Sequence, residues 1–324
     1  MSTTRLLCRS EVEQVLTPEV CIRAVEDAFR QHALGNVPDP GILGMHEGTG
    51  SFHVKAGYLR VEGRLYFAAK LNANFPANPG RSLPTIQGAV VLSDAENGVP
   101  LAIMDSTSIT ALRTAAASAV AAKYLARREC DTALICGCGG QARAQLEAML
   151  CVRKPRRVFV YDADPAKAVR FAKLFGPNAV VAPDLKDAAL SSDIIISCTT
   201  ATRYFLTQEM IRPGAFIAAV GADNENKQEI DPRLMAQAKV VTDLTEQARK
   251  IGDLHHAIAQ GAMSEDQVHA QLGEVAAGLK PGRESEKEKI IFDSTGTGLQ
   301  DVAAAIAAYQ AATRQNAGTL WSLT

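Results

Sequence analysis

Apolar residues follow two different rhythms along this 324-residue chain, and the change falls near residue 130. In residues 20–33, Val25, Ala28, Phe29 and Ala33 recur at helical spacing. Thr17-Pro18 opens that helix, the threonine as cap and the proline where a missing N–H does no harm, and Gly35-Asn36 closes it. Runs at 51–59, 65–71, 86–92 and 100–104 are separated by glycine, proline and asparagine clusters and are expected to be strands. Residues 108–128 are rich in alanine, the strongest helix former, and read as one long helix.

Beyond that helix, short Val/Ile-rich runs alternate with helical stretches, at 132–136, 157–161, 179–182, 193–197, 215–220 and 239–242. Such runs between helices mark a parallel sheet covered on both faces, and six of them match the strand count of a dinucleotide-binding domain. Polar helices and a charged segment at 281–289 lead to a short apolar run at 290–292. A last alanine-rich helix at 299–312 is expected to return to the first domain. The pattern predicts an α/β protein with a Rossmann-type, doubly wound parallel-sheet domain over residues 129–298. A second, α+β domain is expected from residues 1–128, completed by 299–324.

Composition narrows the function. Lys and Arg total 34 against 35 Asp and Glu, so the chain lacks the basic excess of a nucleic-acid binder, and none is expected as partner. No stretch approaches the roughly 20 uninterrupted apolar residues of a membrane span. Residues 1–10 are too short and too soon charged for a signal peptide. Seven scattered cysteines, an odd number, suit a reducing cytoplasm. Cys136 and Cys138 flank a glycine with no second ligand pair nearby, and no metal is expected. His255 and His256 are adjacent on a predicted helix and point apart, so they do not chelate.

The sharpest local signal is the string from Gly137 through Cys138, Gly139, Gly140 and Gln141 to Ala142, between a predicted strand and a predicted helix. Glycines there permit the tight turn and the approach of a pyrophosphate to the helix N-terminus. The next strand ends on Asp162, placed to bind the ribose hydroxyls of NAD and to repel a 2′-phosphate; no arginine follows it, so NAD is favoured over NADP. Ligands of such sheets bind beyond the carboxyl ends of the strands, which here carry Thr199-Thr200 and Gly221-Ala222-Asp223. Asp223 is the one ionisable group put there by a strand end, a candidate proton donor or acceptor.

Several segments resemble the ornithine cyclodeaminase/mu-crystallin family. They are T-A-L-R-T-A-A-A-S at 110–118, A-K-L-N-A-N-F-P at 69–76, L-P-T-I-Q-G at 83–88, I-F-D-S-T-G at 291–296, and Gly221-Ala222-Asp223 with Lys227 and Glu229 downstream. The resemblance runs from about Leu6 to Ala308 and is most specific around Arg113. It implies a homodimeric NAD-dependent enzyme acting on a small amino or imino acid, with the first domain supplying dimer contacts and the substrate floor. By that resemblance Lys70 and Arg113 hold the substrate carboxylate and Asp223 moves protons at nitrogen, the three forming the catalytic set. Thr85, Arg113, Thr114, Gly137, Gly139, Gly140, Gln141, Asp162, Thr199, Val220, Gly221, Ala222, Lys227 and Ser294 would contact the cofactor. The chemistry suits these roles: a guanidinium grips a carboxylate in two parallel hydrogen bonds, and a lysine crowded by it loses its proton more readily.

The chain departs from the family in its first domain. The arginine that many members carry between the first helix and first strand is absent from residues 37–46. His53 stands where cyclodeaminases use a glutamate, and Lys55 where an apolar residue is usual. His53 and Lys55 share one strand face, either toward the substrate or toward solvent or a dimer contact. Facing the substrate, they suit an anion such as a second carboxylate and offer nothing to ornithine's distal ammonium. The expectation is an imine or ketimine reductase or an amino acid dehydrogenase transferring hydride at the α-carbon. The alternatives are a cyclodeaminase, which forms proline and ammonia with bound NAD, and a non-catalytic mu-crystallin-like cofactor binder.

Overall fold

The computed structural model describes residues 3–322. The outermost residues of the expected 1–128 and 299–324 ranges, and the start of the leader reading of 1–10, lie outside the described residues. The chain divides into two compact units, Met1–Arg113 with Thr297–Thr324, and Thr114–Gly296.

The first unit begins with β1 (Thr3–Leu7), α1 (Arg9–Val15), α2 (Pro18–Ala33) and β2 (Gly41–Glu47). It continues through β3 (Gly50–Val61), β4 (Arg64–Asn74), β5 (Ile86–Asp94) and β6 (Pro100–Asp105) into α3 (Ser106–Leu125), within which the division falls. The second unit runs through β7 (Thr132–Cys136), α4 (Ala142–Val152), β8 (Arg157–Tyr161), α5 (Pro165–Leu174), β9 (Ala179–Val181), α6 (Leu185–Ser191) and β10 (Ile194–Ser197). Then come β11 (Thr202–Leu206), β12 (Phe216–Ala219), β13 (Gln228–Ile230), α7 (Pro232–Ala236), β14 (Lys239–Thr242), α8 (Thr245–Ile251) and α9 (Asp253–Ala259). It closes with β15 (Ala270–Gln271), α10 (Leu272–Ala276) and β16 (Ile290–Asp293). The last two elements, α11 (Gly298–Gln315) and β17 (Thr319–Ser322), belong to the first unit.

Local signals act as their chemistry dictates. The Thr17 hydroxyl accepts the Val20 N–H at the start of α2, and Gly35 follows its end with φ +72°. The four expected strands of the first third are β3 to β6, in a seven-stranded sheet of order β17-β1-β6-β5-β4-β3-β2. It is antiparallel apart from the β1–β6 pair. One of its faces carries α11, which also packs on α2.

The second unit holds a wholly parallel sheet of order β15-β14-β16-β12-β10-β7-β8-β9. It has eight strands where six runs were anticipated. The extra ones are the two-residue β15 and β16, which inserts between β12 and β14. A three-residue apolar run behind a charged segment gives too little periodicity to be weighed as a strand, although β16 is fully buried. Strands β10, β12 and β16 are buried at every position, and Leu134, Ile195, Ile217 and Ile291 form the centre of the core. Each such side chain contributes about 1.5–3 kcal/mol by leaving water.

In the first unit α11 lies so close to β3 that side chains are excluded where they cross. A Cβ on Gly298 would stand 2.4 Å from the Ala56 carbonyl oxygen, and one on Gly57 would meet the backbone of Gly298 at 3.3 Å. Backbone cannot yield as a flexible side chain can, so Gly298→Ala is expected to destabilise the protein by about 1–3 kcal/mol, the usual cost of overpacking. Urea denaturation checks this; an unchanged midpoint would mean that the helix is not seated so tightly.

Candidate functional site

The first unit gathers charge in an unusual place. The β3–β4 register sets Lys55 directly opposite Lys70, and His53 opposite Asn72. Alternation puts His53, Lys55, Gly57 and Leu59 on one face of β3, the face on which α11 lies at Gly57. Lys70 is 3% exposed and Arg113, on α3, 4%. Both turn to Asp301 in the first turn of α11, itself 1% exposed. Lys70 Nζ donates to Asp301 Oδ1 at 2.8 Å. Arg113 Nε lies 2.9 Å from the same oxygen, in ionic contact though too oblique for a good hydrogen bond, while its Nη1 donates to Gln300 Oε1 at 2.8 Å.

Burial lowers the Lys70 ammonium to about 7, with Arg113 pushing the same way, Asp301 opposing and Lys55 adding a smaller push. Burial alone would raise the Asp301 carboxyl, but Arg113 and Lys70 outweigh it and hold it below the usual range. His53 bonds Ser51 Oγ at 3.0 Å and lies edge-on to His46.

The second unit carries the dinucleotide signals at the carboxyl ends of its parallel strands. Gly137 takes φ +92°, and a Cβ there would press within 2.9 Å of the Cys198 carbonyl. Gly139 and Gly140 border open space, which a Cβ on either would fill. Asp162 accepts the Cys138 and Asp164 N–H groups, each at 2.8 Å, tying the end of β8 to the glycine turn. A cavity of about 560 Å³ opens beside them, lined among others by Gly137, Gly139, Asp162, Lys167 and Thr199. Gln141 Oε1 and Ser294 Oγ are buried without a hydrogen-bond partner among the described residues. An open glycine cradle at a helix start, a carboxylate at the next strand end and orphaned polar atoms fit a dinucleotide.

Two neighbouring strand-end loops are fastened by a buried acid. Glu229 Oε1 accepts both the Thr199 N–H and its hydroxyl, at 2.7 and 2.6 Å, and Oε2 accepts the Gly221 N–H at 2.7 Å. Asp253 in turn accepts the Glu229 and Ile230 N–H groups, and Asp293 that of Leu254. Burial raises all three carboxyls above the ordinary range; Coulombic repulsion adds to it at Asp253, from Asp293 and Glu229, and at Asp293, from Asp243 and Glu229. Asp223, just beyond this clamp, is more than half exposed and accepts from Lys227 Nζ at 2.7 Å.

The structure thus brings Gly137, Gly139, Gly140, Gln141, Asp162, Thr199, Val220, Gly221, Ala222, Asp223, Lys227 and Ser294 to the strand ends of the second unit. Thr114 begins that unit on α3. Thr85, whose carbonyl accepts the Phe75 N–H, belongs with Lys70, Arg113, His53 and Lys55 to the first unit. Sequence reasoning missed Asp301 and Gln300 and gave Glu229 no task. The one available signal was a lone acid in an otherwise apolar stretch of an alanine-rich helix. Among the described residues no group of His, Cys, Asp and Glu could hold a metal ion, and no helix is long and apolar enough to cross a membrane.

The family model for the ornithine cyclodeaminase/mu-crystallin family matches residues 2–316. Among solved structures, an archaeal alanine dehydrogenase dimer with bound NAD superposes with a TM-score of 0.94 at 37% identity, covering 100% of both chains. The Thermococcus litoralis Delta(1)-pyrroline-2-carboxylate reductase, in complex with NADH and L-proline, gives 0.91 at 35% identity over 98% of this chain and 99% of that one. The iminosuccinate reductase of Paracoccus denitrificans, in complex with NAD+, gives 0.91 at 31% over 99% and 100%.

Removing the clamp tests the second unit. Glu229→Ala strands the Thr199 and Gly221 N–H groups and is expected to cost about 1–3 kcal/mol of stability. NADH affinity, followed by fluorescence titration, should fall about tenfold or more; unchanged affinity would detach these loops from cofactor binding.

Proposed function

The chain belongs to the ornithine cyclodeaminase/mu-crystallin family and is an NAD-dependent oxidoreductase of amino and imino acids; within that activity we propose that it reduces a small imino acid bearing a second carboxylate. One observation carries the substrate class: Lys55 stands opposite Lys70, which shares the carboxylate of Asp301 with Arg113, and Lys55 acts electrostatically on both Lys70 and Asp301. Lys70 meets an excess of repulsion: Arg113 and Lys55 both act against its proton, with Asp301 opposing them. A dianionic substrate neutralises that excess; a substrate with a distal ammonium adds to it, which counts against cyclisation of a diamino acid.

Bound NADH supplies the hydride. Arg113 and Lys70 take the α-carboxylate, fixing the imine carbon for attack on one face, and Lys55, with His53 further along the strand, takes the second carboxylate. Asp223 delivers the proton that the nitrogen requires, Lys227 holds its carboxylate in place, and its exposure lets water restore the proton. The cofactor contacts proposed are Gly137, Gly139, Gly140, Gln141, Asp162, Thr199, Val220, Gly221, Ala222, Lys227 and Ser294, with Thr85, Arg113 and Thr114 added by the family resemblance. As domains, residues 129–298 are proposed to bind NAD and 1–128 with 299–324 to bind substrate and dimerise, whereas the compact units divide at 113/114, within α3, and at 296/297. Seven free thiols suit a cytoplasmic setting.

The second face of the seven-stranded sheet supports a homodimer. Leu43, Met45, Phe52, Leu71 and Val91 share that face and are 37–63% exposed. So continuous an apolar surface is what a second copy of the chain would cover, and the archaeal neighbour is a dimer. Met45→Glu with Leu71→Glu is expected to halve the mass seen by light scattering; an unchanged mass would place the contact elsewhere.

Activity is tested by loss of NADH absorbance with ammonia plus oxaloacetate, ammonia plus pyruvate, or pyrroline-2-carboxylate. The dicarboxylic imine is expected to be the best substrate. Lys55→Ala should raise its KM about tenfold while leaving the pyruvate imine within about threefold, the loss of one charged contact. Asp223→Ala should lower kcat by roughly 10²–10⁴. Equal effects of Lys55→Ala on both imines would overturn the substrate class, and proline plus ammonia from ornithine without net NADH change would restore the cyclodeaminase reading.

A further inference from the structure

Lys70 and Arg113 do not hold themselves in place. Their common partner, Asp301, comes from the opposite end of the sequence, on a helix seated by the Gly57–Gly298 approach. Its Oδ1 receives both cations, and Gln300, the residue before it, receives Arg113 Nη1. Asp301 Oδ2 is buried with no hydrogen-bond partner among the described residues, so Lys70 and Arg113 are the cations in contact with the carboxylate.

We propose that Asp301 is a positioning residue: its carboxylate holds the Lys70 ammonium charged beside the Arg113 guanidinium, and so sets the pH above which the enzyme loses its grip on the substrate carboxylate. This rests on the reading that Lys70 and Arg113 bind that carboxylate. The charges around Lys70 leave little else to do the task. Arg113 from α3 and Lys55 from β3 both drive the proton off Lys70, and Asp301 from α11 opposes them. On β5 the residue opposite is Val90. The buried face of α2 contributes Glu26 and Cys21, whose thiol burial pushes up to about 12, so that it stays neutral.

The sign follows directly. A lysine near 7 is charged below that value and neutral above it, so KM for the imino acid rises with pH through this region. Asp301→Asn removes the opposing anion at nearly constant volume, the proton leaves Lys70 more easily, and the rise must begin at lower pH. A second variant works in the opposite direction: Gln300→Glu adds a carboxylate beside Arg113, and the rise must begin at higher pH.

The experiment measures KM for the imino acid and KM for NADH between pH 5.5 and 9, in the intact protein and in Asp301→Asn, Gln300→Glu and Lys70→Arg. The limb of KM is expected about one pH unit lower in Asp301→Asn, a roughly tenfold loss at a fixed pH on the limb. It is expected higher in Gln300→Glu and absent in Lys70→Arg, whose guanidinium does not titrate, with KM for NADH within about twofold throughout. A uniform rise of KM at every pH in Asp301→Asn, or a limb unmoved by Gln300→Glu, overturns the proposal and reduces Asp301 to a structural ion pair. If Asp301→Asn does not fold, Gln300→Glu decides alone. A limb that survives in Lys70→Arg overturns instead the assignment of Lys70 to the substrate carboxylate, so the two failures are distinguishable.

Discussion

Two cations sharing one carboxylate oxygen, all three residues at most 4% exposed, form the constraint on which the first unit is organised. Taking such groups out of water is costly, and each becomes tolerable only through the others. The sequence meets this by bringing β4, α3 and α11 to one point, from residues 70, 113 and 301. That requires α11 to lie against β3 at backbone distance, which is why glycine stands at both 57 and 298. The arrangement fixes the two cations without neutralising them, and a fixed, underneutralised pair is what a carboxylate-binding site needs.

The second unit solves a related problem with the opposite charge. Loops at the ends of parallel strands have backbone N–H groups that the sheet does not satisfy. Here Glu229 satisfies Thr199 and Gly221, Asp253 satisfies the segment that carries Glu229, and Asp293 satisfies the segment after Asp253. Burial raises all three acids, and the backbone N–H groups that they accept act against that rise. What results is a rigid floor under the loops that carry Thr199 and Asp223. Asp223 itself stays at the surface, with Lys227 as its partner and water for exchange.

Much of this was legible in the residues. Periodicity located α2, strands β3 to β6 and the Val/Ile strands of the second sheet, because each is an apolar run set off by turn or helical sequence. The glycine turn and Asp162 were readable because backbone approach and a strand-end carboxylate leave few substitutes. Lys70 and Arg113 emerged from family resemblance, and neither would stand out alone in its strand or helix. Asp301 was hidden for a physical reason: an acid in the first turn of a helix is favourable in its own right, so its sequence position carries no sign of burial or of a distant partner. Glu229 was hidden likewise: it sits in the three-residue β13, and its importance lies in the N–H groups of other loops. Strand β16 escaped because only pairing with β12 and β14 makes three apolar residues a strand.

Charge balance separates the branches of chemistry open to this architecture. Reduction and cyclisation both need an α-carboxylate held still and a proton moved at nitrogen, so the roles proposed for Arg113, Lys70 and Asp223 do not discriminate between them. What discriminates is the group that meets the far end of the substrate. A cyclising site must accept a cationic or nucleophilic amine there, whereas the register of β3 on β4 puts an ammonium opposite Lys70. At the separations of a packed site, two like charges repel by several kcal/mol, and a carboxylate in the same place gains a comparable amount. On the proposed reading, then, a single residue at position 55 turns a shared carboxylate clamp toward anionic substrates, with no change of fold.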